Sequence, residues 1–211
     1  MSTEERKTIY LCLAHMSEEG YEQKYVKEAF DTNWVVPMGP NVNAFEQNLA
    51  DFANANSDGS KLARKVVCLS AGTAAVHLAL IACGVKAGDE VCVQSFTFCA
   101  SSHPIIYLGA KPVFIDSERE TWNMDPELLE KAIIERKTVT GKYPKAIIPV
   151  ALYGMPYDCE RIMAIADKYG ISVIEDAAEG MGARFNGQVL GTFGRFGVCL
   201  LYTSPSPRDR G

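Results

Sequence analysis

Val173-Ile174-Glu175-Asp176-Ala177-Ala178-Glu179-Gly180-Met181-Gly182 is the stretch that decides how this chain is read. Residues 171–174 form a short apolar run rich in β-branched side chains, with Gly170 before it and small residues after it. Such a run reads as a buried strand. Glu175 and Asp176 stand at its carboxyl end, and in an open α/β sheet ligands sit outside the carboxyl ends of strands. A carboxylate there can meet a cationic ring nitrogen, and the small residues after it let a flat ligand approach the backbone. A plainer role is equally open to the same residues: Asp176 can simply cap the turn or helix that follows.

Working upstream, apolar runs at 66–69, 90–94, 112–115 and 146–150 read as strands. Between them, residues 72–83, 98–107, 126 to about 136 and 159–169 read as helices, the third with Asp125 as cap and Pro126 in its first turn. Repeated βα units with apolar strands predict an α/β fold: a three-layer α/β/α arrangement around a mostly parallel sheet. Two more helices precede these units. One starts near Ser17-Glu18-Glu19, places Tyr25, Val26, Ala29 and Phe30 at helical spacing and ends by Asn33. The other opens at Pro40 or Asn41 with Val42, Phe45, Leu49 and Phe52 on one face. Downstream, Asn186-Gly187 favours a type I′ turn and predicts a hairpin over 183–190, followed by a strand over 198–201.

Composition narrows the function classes. Of the 211 residues 47% are apolar and 22% charged, enough to bury a core, and no internal repeat or linker interrupts the chain. A net charge of −5 offers no basic footprint for nucleic acid or anionic lipid. No apolar run approaches the ~20 residues that span a bilayer, and the N-terminus lacks the apolar core of a secretory signal. Seven cysteines without a CxxC pair, with Cys68, Cys92 and Cys199 inside apolar runs, read as buried reduced thiols of a cytoplasmic protein. His15, His77 and His103 show no metal-ligand spacing. Residues 202–211 hold two prolines, two arginines and no apolar anchor; they read as a disordered, foreign-looking tail behind a domain over 1–199.

Two further strand ends carry chemistry. Ser70-Ala71-Gly72-Thr73-Ala74-Ala75 joins the 66–69 run to a helix N-terminus, where free N–H groups and the helix dipole suit a phosphate. It has neither a Walker lysine nor GxGxxG, and Ser70 acting only as a cap would account for it too. Ser95-Phe96-Thr97-Phe98 follows the 90–94 strand; an aromatic there can stack on a flat ring, or serve the core. A phosphate seat, a ring platform and a carboxylate together fit pyridoxal 5′-phosphate better than a dinucleotide, because an aspartate against the pyridine nitrogen keeps the ring an electron sink.

At this point the sequence resembles the DegT/DnrJ/EryC1/StrS family of sugar aminotransferases, of aspartate-aminotransferase-like fold. The resemblance rests on Leu69-Ser-Ala-Gly-Thr-Ala-Ala-Val-His-Leu-Ala-Leu80, Gly88-Asp-Glu-Val, Ser95-Phe-Thr-Phe98, Gly109-Ala-Lys-Pro-Val-Phe-Ile-Asp116, Tyr153-Gly154, Ile174-Glu-Asp-Ala-Ala-Glu179 and Gly191-Thr-Phe-Gly. It implies that Gly72, Thr73 and Ala74 seat the cofactor phosphate, that Phe98 covers the ring, that Asp176 meets the ring nitrogen and that Glu179 stands beside the phenolic oxygen. It also implies a nucleotide-linked keto-deoxysugar substrate, an amino-acid donor such as glutamate, and a homodimer. One departure matters. Counting along the family pattern, a serine would fall at Leu200 and the Schiff-base lysine near Pro205, but no lysine follows Lys168. The chain thus reads as an N-terminal part of such an enzyme, inactive as it stands. A sugar dehydratase of the same family, or a binding protein that keeps the cofactor site without the lysine, are the other readings.

Overall fold

The computed structural model describes residues 17–200. Its helices are α1 (Tyr21–Asp31), α2 (Pro40–Asn54), α3 (Gly72–Ala82), α4 (His103–Tyr107), α5 (Pro126–Thr140) and α6 (Cys159–Tyr169). Its strands are β1 (Glu90–Gln94), β2 (Lys111–Ile115), β3 (Ala146–Ile148), β4 (Ser172–Ala177), β5 (Arg184–Phe185), β6 (Gln188–Val189) and β7 (Phe196–Cys199). Five of them form one sheet in the order β2-β1-β3-β4-β7, every pair parallel. β5 and β6 form a separate antiparallel hairpin, turned by Asn186 and Gly187 at φ 47° and 85°, as a type I′ turn requires.

Alternation along each strand sorts the core into two halves. Val91, Val93, Ala146, Ile148 and Ile174 face one side, where Val76, Ala79 and Leu80 of α3 and Ile105 of α4 cover them. Cys92, Ile147 and Val173 face the other, under Leu129 and Ile133 of α5 and Ile162, Ile165 and Ala166 of α6. The three-layer α/β/α expectation therefore holds. Asp125 caps α5 by accepting from Glu127 N and Leu128 N at 2.7 and 3.1 Å, which satisfies two of the amides that a helix start leaves open.

The 66–69 strand is a correction. This segment has no regular secondary structure and joins no ladder among the described residues. Val67 is 72% exposed and Leu69 45%. Side chains hold it instead: Glu46 Oε1 accepts from Cys68 N at 2.8 Å, and Asn54 accepts from and donates to Arg64. Apolar β-branched content makes a strand only where a partner strand offers its edge. Two smaller differences follow the same local logic. α1 begins at Tyr21 rather than at Glu18, with Ser17 still accepting from Tyr21 N at 2.9 Å. Of the three cysteines expected inside, Cys92 is buried, Cys68 half-buried and Cys199 exposed. His15, Leu201 and the 202–211 tail lie outside the described residues.

Candidate active site

The strand order brings the carboxyl ends of β1, β3 and β4 side by side. After β1 the chain turns back to the edge strand β2, and after β3 it moves the other way to β4. A reversal of this kind opens a crevice at the strand ends. A cleft of about 550 Å³ opens beside these strand ends, lined by Gly72, Thr73, Phe98, Asp176 and Glu179 together. Ala74 lies on the same first turn of α3 but does not line the cleft.

Asp176 sits one residue from the end of β4 and is 6% exposed. Its backbone is fixed from the β3 side: Asp176 N donates to Pro149 O at 2.9 Å, and Ala151 N donates to Asp176 O at 3.0 Å. Its side chain accepts from Ser101 Oγ at 2.6 Å and from Ala178 N at 3.2 Å. A carboxylate this buried must be matched by donors or by a cationic partner, and part of its surface faces the cleft. The cap expectation is met only in a local sense, because Asp176 closes a turn at Ala178 and starts no helix.

The first turn of α3 has Ala71 as its N-cap residue, and no side chain caps it. Ser70 is thus not the cap, and the N-terminal amides point out at the cleft rim with the positive end of the helix dipole. One feature works against an anion there. Leu200 presses on Gly72, so that a Cβ added to Gly72 would meet Leu200 Cδ2 at 2.9 Å. Phe98 is 39% exposed and borders the cleft at the start of a short 3-10 turn. Glu179 accepts from Tyr153 N at 2.6 Å, with Tyr153 held at φ 53°.

Buried polar groups that the sequence did not single out support this rim. Gln94, 0% exposed, accepts from Met124 N and Val150 N at 2.8 and 3.3 Å and donates to Phe96 O at 2.9 Å. Asn123, equally buried, accepts from Leu152 N and donates to Met155 O. These two amides tie the loops after β1, β2 and β3 to one another. Glu175 points to the opposite face from Asp176 and accepts from Gly194 N and Gly191 N at 2.6 and 3.0 Å. Burial pushes its carboxyl up, against the lowering pull of those amides. The anchored loop lets β7 lie on β4; a side chain on Gly197 would overlap the Gly191 carbonyl. Neither Gln94, Asn123 nor Ser101 carried a local signal beyond being polar at a strand end.

The DegT/DnrJ/EryC1/StrS aminotransferase family matches residues 16–202. The chain belongs to that family. It is 51% identical over 192 residues to EpsN of Bacillus subtilis (strain 168), whose name carries a provisional assignment as a pyridoxal phosphate-dependent aminotransferase; the match covers 91% of this chain and 47% of that protein. It is 38% identical over 185 residues to the GDP-perosamine synthase of Escherichia coli O157:H7, covering 88% of this chain and 47% of the other. Among solved structures, a family aminotransferase from Brucella abortus superposes with a TM-score of 0.71 at 32% identity, over 85% of this chain and 48% of that one. The E. coli GDP-4-keto-6-deoxy-D-mannose-3-dehydratase with bound hydrated PLP gives 0.73 at 28% identity, over 89% and 46%. The fold is therefore that of the aspartate-aminotransferase-like large domain, fold type I. The chain spans about half the length of the relatives it matches.

Proposed function

We propose that these residues form the cofactor-binding part of a pyridoxal 5′-phosphate-dependent aminotransferase that acts on a nucleotide-linked keto-deoxysugar, with an amino acid such as glutamate as donor. The observation that carries the reading is the buried Asp176 carboxylate opening on the same cleft as the uncapped start of α3. The donor set fits the group: one anion seat, one aromatic face and one carboxylate, at three neighbouring elements. Bound there, the cofactor supplies an electron sink for the carbon that carries the amino group. Asp176 would hold a proton on the ring nitrogen. Its charge is worth most in a water-poor cleft, where a charge-assisted hydrogen bond is strong. The amides of Gly72 and Thr73, with the Thr73 hydroxyl, would bind the phosphate, and Ala74 would contribute as part of the same helix start. Phe98 would lie against the ring, and Glu179, fixed by Tyr153, beside the ring oxygen.

The amine that moves protons between donor and acceptor carbons is the one role these residues do not fill, since no lysine follows Lys168. We assign no transaminase activity to the chain as given. Residues 1–199 are taken as part of the large domain, and a homodimer is proposed only as what the family resemblance implies. Six cysteines among the described residues are free thiols, which suits a reducing compartment and so a cytoplasmic protein. No described helix is long and apolar enough to cross a membrane. A dehydratase working on a similar nucleotide sugar is the second reading, favoured by the likeness to the E. coli 3-dehydratase.

Equilibrium dialysis of pyridoxal 5′-phosphate tests the cleft with substitutions of opposite sign. Asp176→Ala should weaken binding by about tenfold or more, the loss of one hydrogen bond to a charged group. Leu200→Ser should strengthen it, because it removes an apolar side chain from the anion seat and adds a hydroxyl. Equal affinity in the parent chain and both variants would contradict the assignment.

A further inference from the structure

We propose that Ser101 is a positioning residue of this cleft: held by Thr97, its hydroxyl fixes the Asp176 carboxylate in one orientation and in its charged form. Ser101 is 0% exposed and ends the 3-10 turn Cys99–Ser101. Its backbone is set by a bond from Ser101 N to Phe98 O at 3.1 Å. Its Oγ lies 2.6 Å from Asp176 Oδ2 and 2.9 Å from Thr97 Oγ1. A hydroxyl has one proton to give. A carboxylate can only accept, so the Ser101 proton goes to Asp176. The Thr97 hydroxyl must then be the donor in the Thr97–Ser101 contact. The three groups form a one-way chain, Thr97 to Ser101 to Asp176, and each bond polarises the next toward the carboxylate.

The placement gives this chain a second consequence. Thr97, Phe98 and Ser101 lie on the single loop that leaves β1, while Asp176 lies 75 residues further on, in β4. The loop that carries the aromatic wall therefore also sets the angle of the carboxylate, so ring platform and acid are aligned by one piece of backbone. A preorganised acceptor is worth more than one that must be ordered on binding. Ser101 never reaches the ligand itself; it acts through Asp176. The consequence for the cofactor rests on the proposed function above, whereas the geometry of the relay does not.

The test uses the chain itself, with side-chain carboxyl carbons of aspartate labelled with 13C and followed by NMR across a pH series, without cofactor. Removing a donor from the charged form makes a carboxyl easier to protonate. Ser101→Ala should move the Asp176 midpoint upward, Ser101→Thr should restore the parent value, and Thr97→Val should move it upward by less. The Cys199 thiol on β7, which feels the Asp176 charge, is common to all of these chains. An unmoved midpoint in folded Ser101→Ala overturns the proposal; should that variant not fold, an unmoved midpoint in Thr97→Val does so. In a second arm, pyridoxal 5′-phosphate should bind Ser101→Ala about tenfold more weakly than the parent, with Ser101→Thr near the parent. If the midpoints move as expected but cofactor affinity ignores both Ser101→Ala and Asp176→Ala, the relay stands and the cofactor reading falls.

Discussion

The two ends of the described chain are built from equally regular helices but are held in opposite ways. Each of α3, α4, α5 and α6 buries apolar side chains on one face of the sheet. Neither α1 nor α2 contains a buried residue. Phe30 is 71% exposed and Val26 55%, although both stand where the apolar spacing of α1 predicts an inward face. α2 and the segment after it are attached by polar tethers instead: Arg184 Nη1 donates to Ala55 O at 2.8 Å, Ser57 N to Gly187 O at 3.0 Å and Arg64 Nη2 to Thr192 O at 2.7 Å. Apolar periodicity says that a helix has something to bury. It does not say against what, and a chain that spans about half of its relatives' length need not contain the answer.

Urea denaturation should show the largest difference between the two groups of helices. Leu80→Ala, in a side chain with 0% exposure, should cost about 2–5 kcal/mol, the range for emptying a core site. Phe30→Ala should stay within about 0.5 kcal/mol, as surface substitutions do. A comparable cost for Phe30→Ala would mean that α1 is packed as firmly as the sheet helices.

The buried Glu175 offers the next largest effect. Glu175→Gln sets an amide NH2 against one of the two glycine N–H groups and should cost about 1–3 kcal/mol. It should also remove a pH dependence. Burial raises the native carboxyl above its ordinary range, so the native chain keeps a proton that the unfolded chain has released. That contribution is complete below the ordinary glutamate range and is lost as pH rises through the raised native value. The stability gap between parent and variant should therefore be widest in acid and narrow toward neutrality. A gap that widens with pH would show that the amides, not burial, dominate.

Thiol labelling gives the smallest signal and maps the same contrast. Burial pushes both Cys92 and Cys159 up to about 12, so few thiolates form there at mildly alkaline pH. Native-state alkylation should reach exposed Cys99 first and leave Cys92 and Cys159 unmodified until the sheet opens. Early labelling of Cys92 would contradict a closed core.

What the sequence discloses divides along the same line. β1 and α6 fall on the residues that local pattern assigns, 90–94 and 159–169, because a buried parallel strand is a continuous apolar run and α6 carries its own stop at Gly170, φ 65°. The Asn186-Gly187 hairpin and the Asp125 cap are local chemistry and are equally legible. The 66–69 segment is not, because strand formation depends on a partner edge that no local pattern encodes. Among the residues that line the cleft, Asp176 and Phe98 are legible from strand-end position and Thr73 from a helix start, while the roles proposed for them rest on family likeness. Ser101, Gln94 and Asn123 are not, since each acts through a contact with a residue that is distant in sequence. Leu200 on Gly72 belongs to the same class.

The proposed pairing of the Asp176 carboxylate with a protonated ring nitrogen is open to direct measurement. Pyridoxal 5′-phosphate labelled with 15N at that nitrogen reports its protonation directly by NMR. Bound to the parent chain near neutral pH, it should show the shift of a protonated pyridine, and bound to Asp176→Ala at saturating concentration, that of a free one. A ring nitrogen unprotonated in the parent, or protonated equally in both, would overturn the role proposed for Asp176.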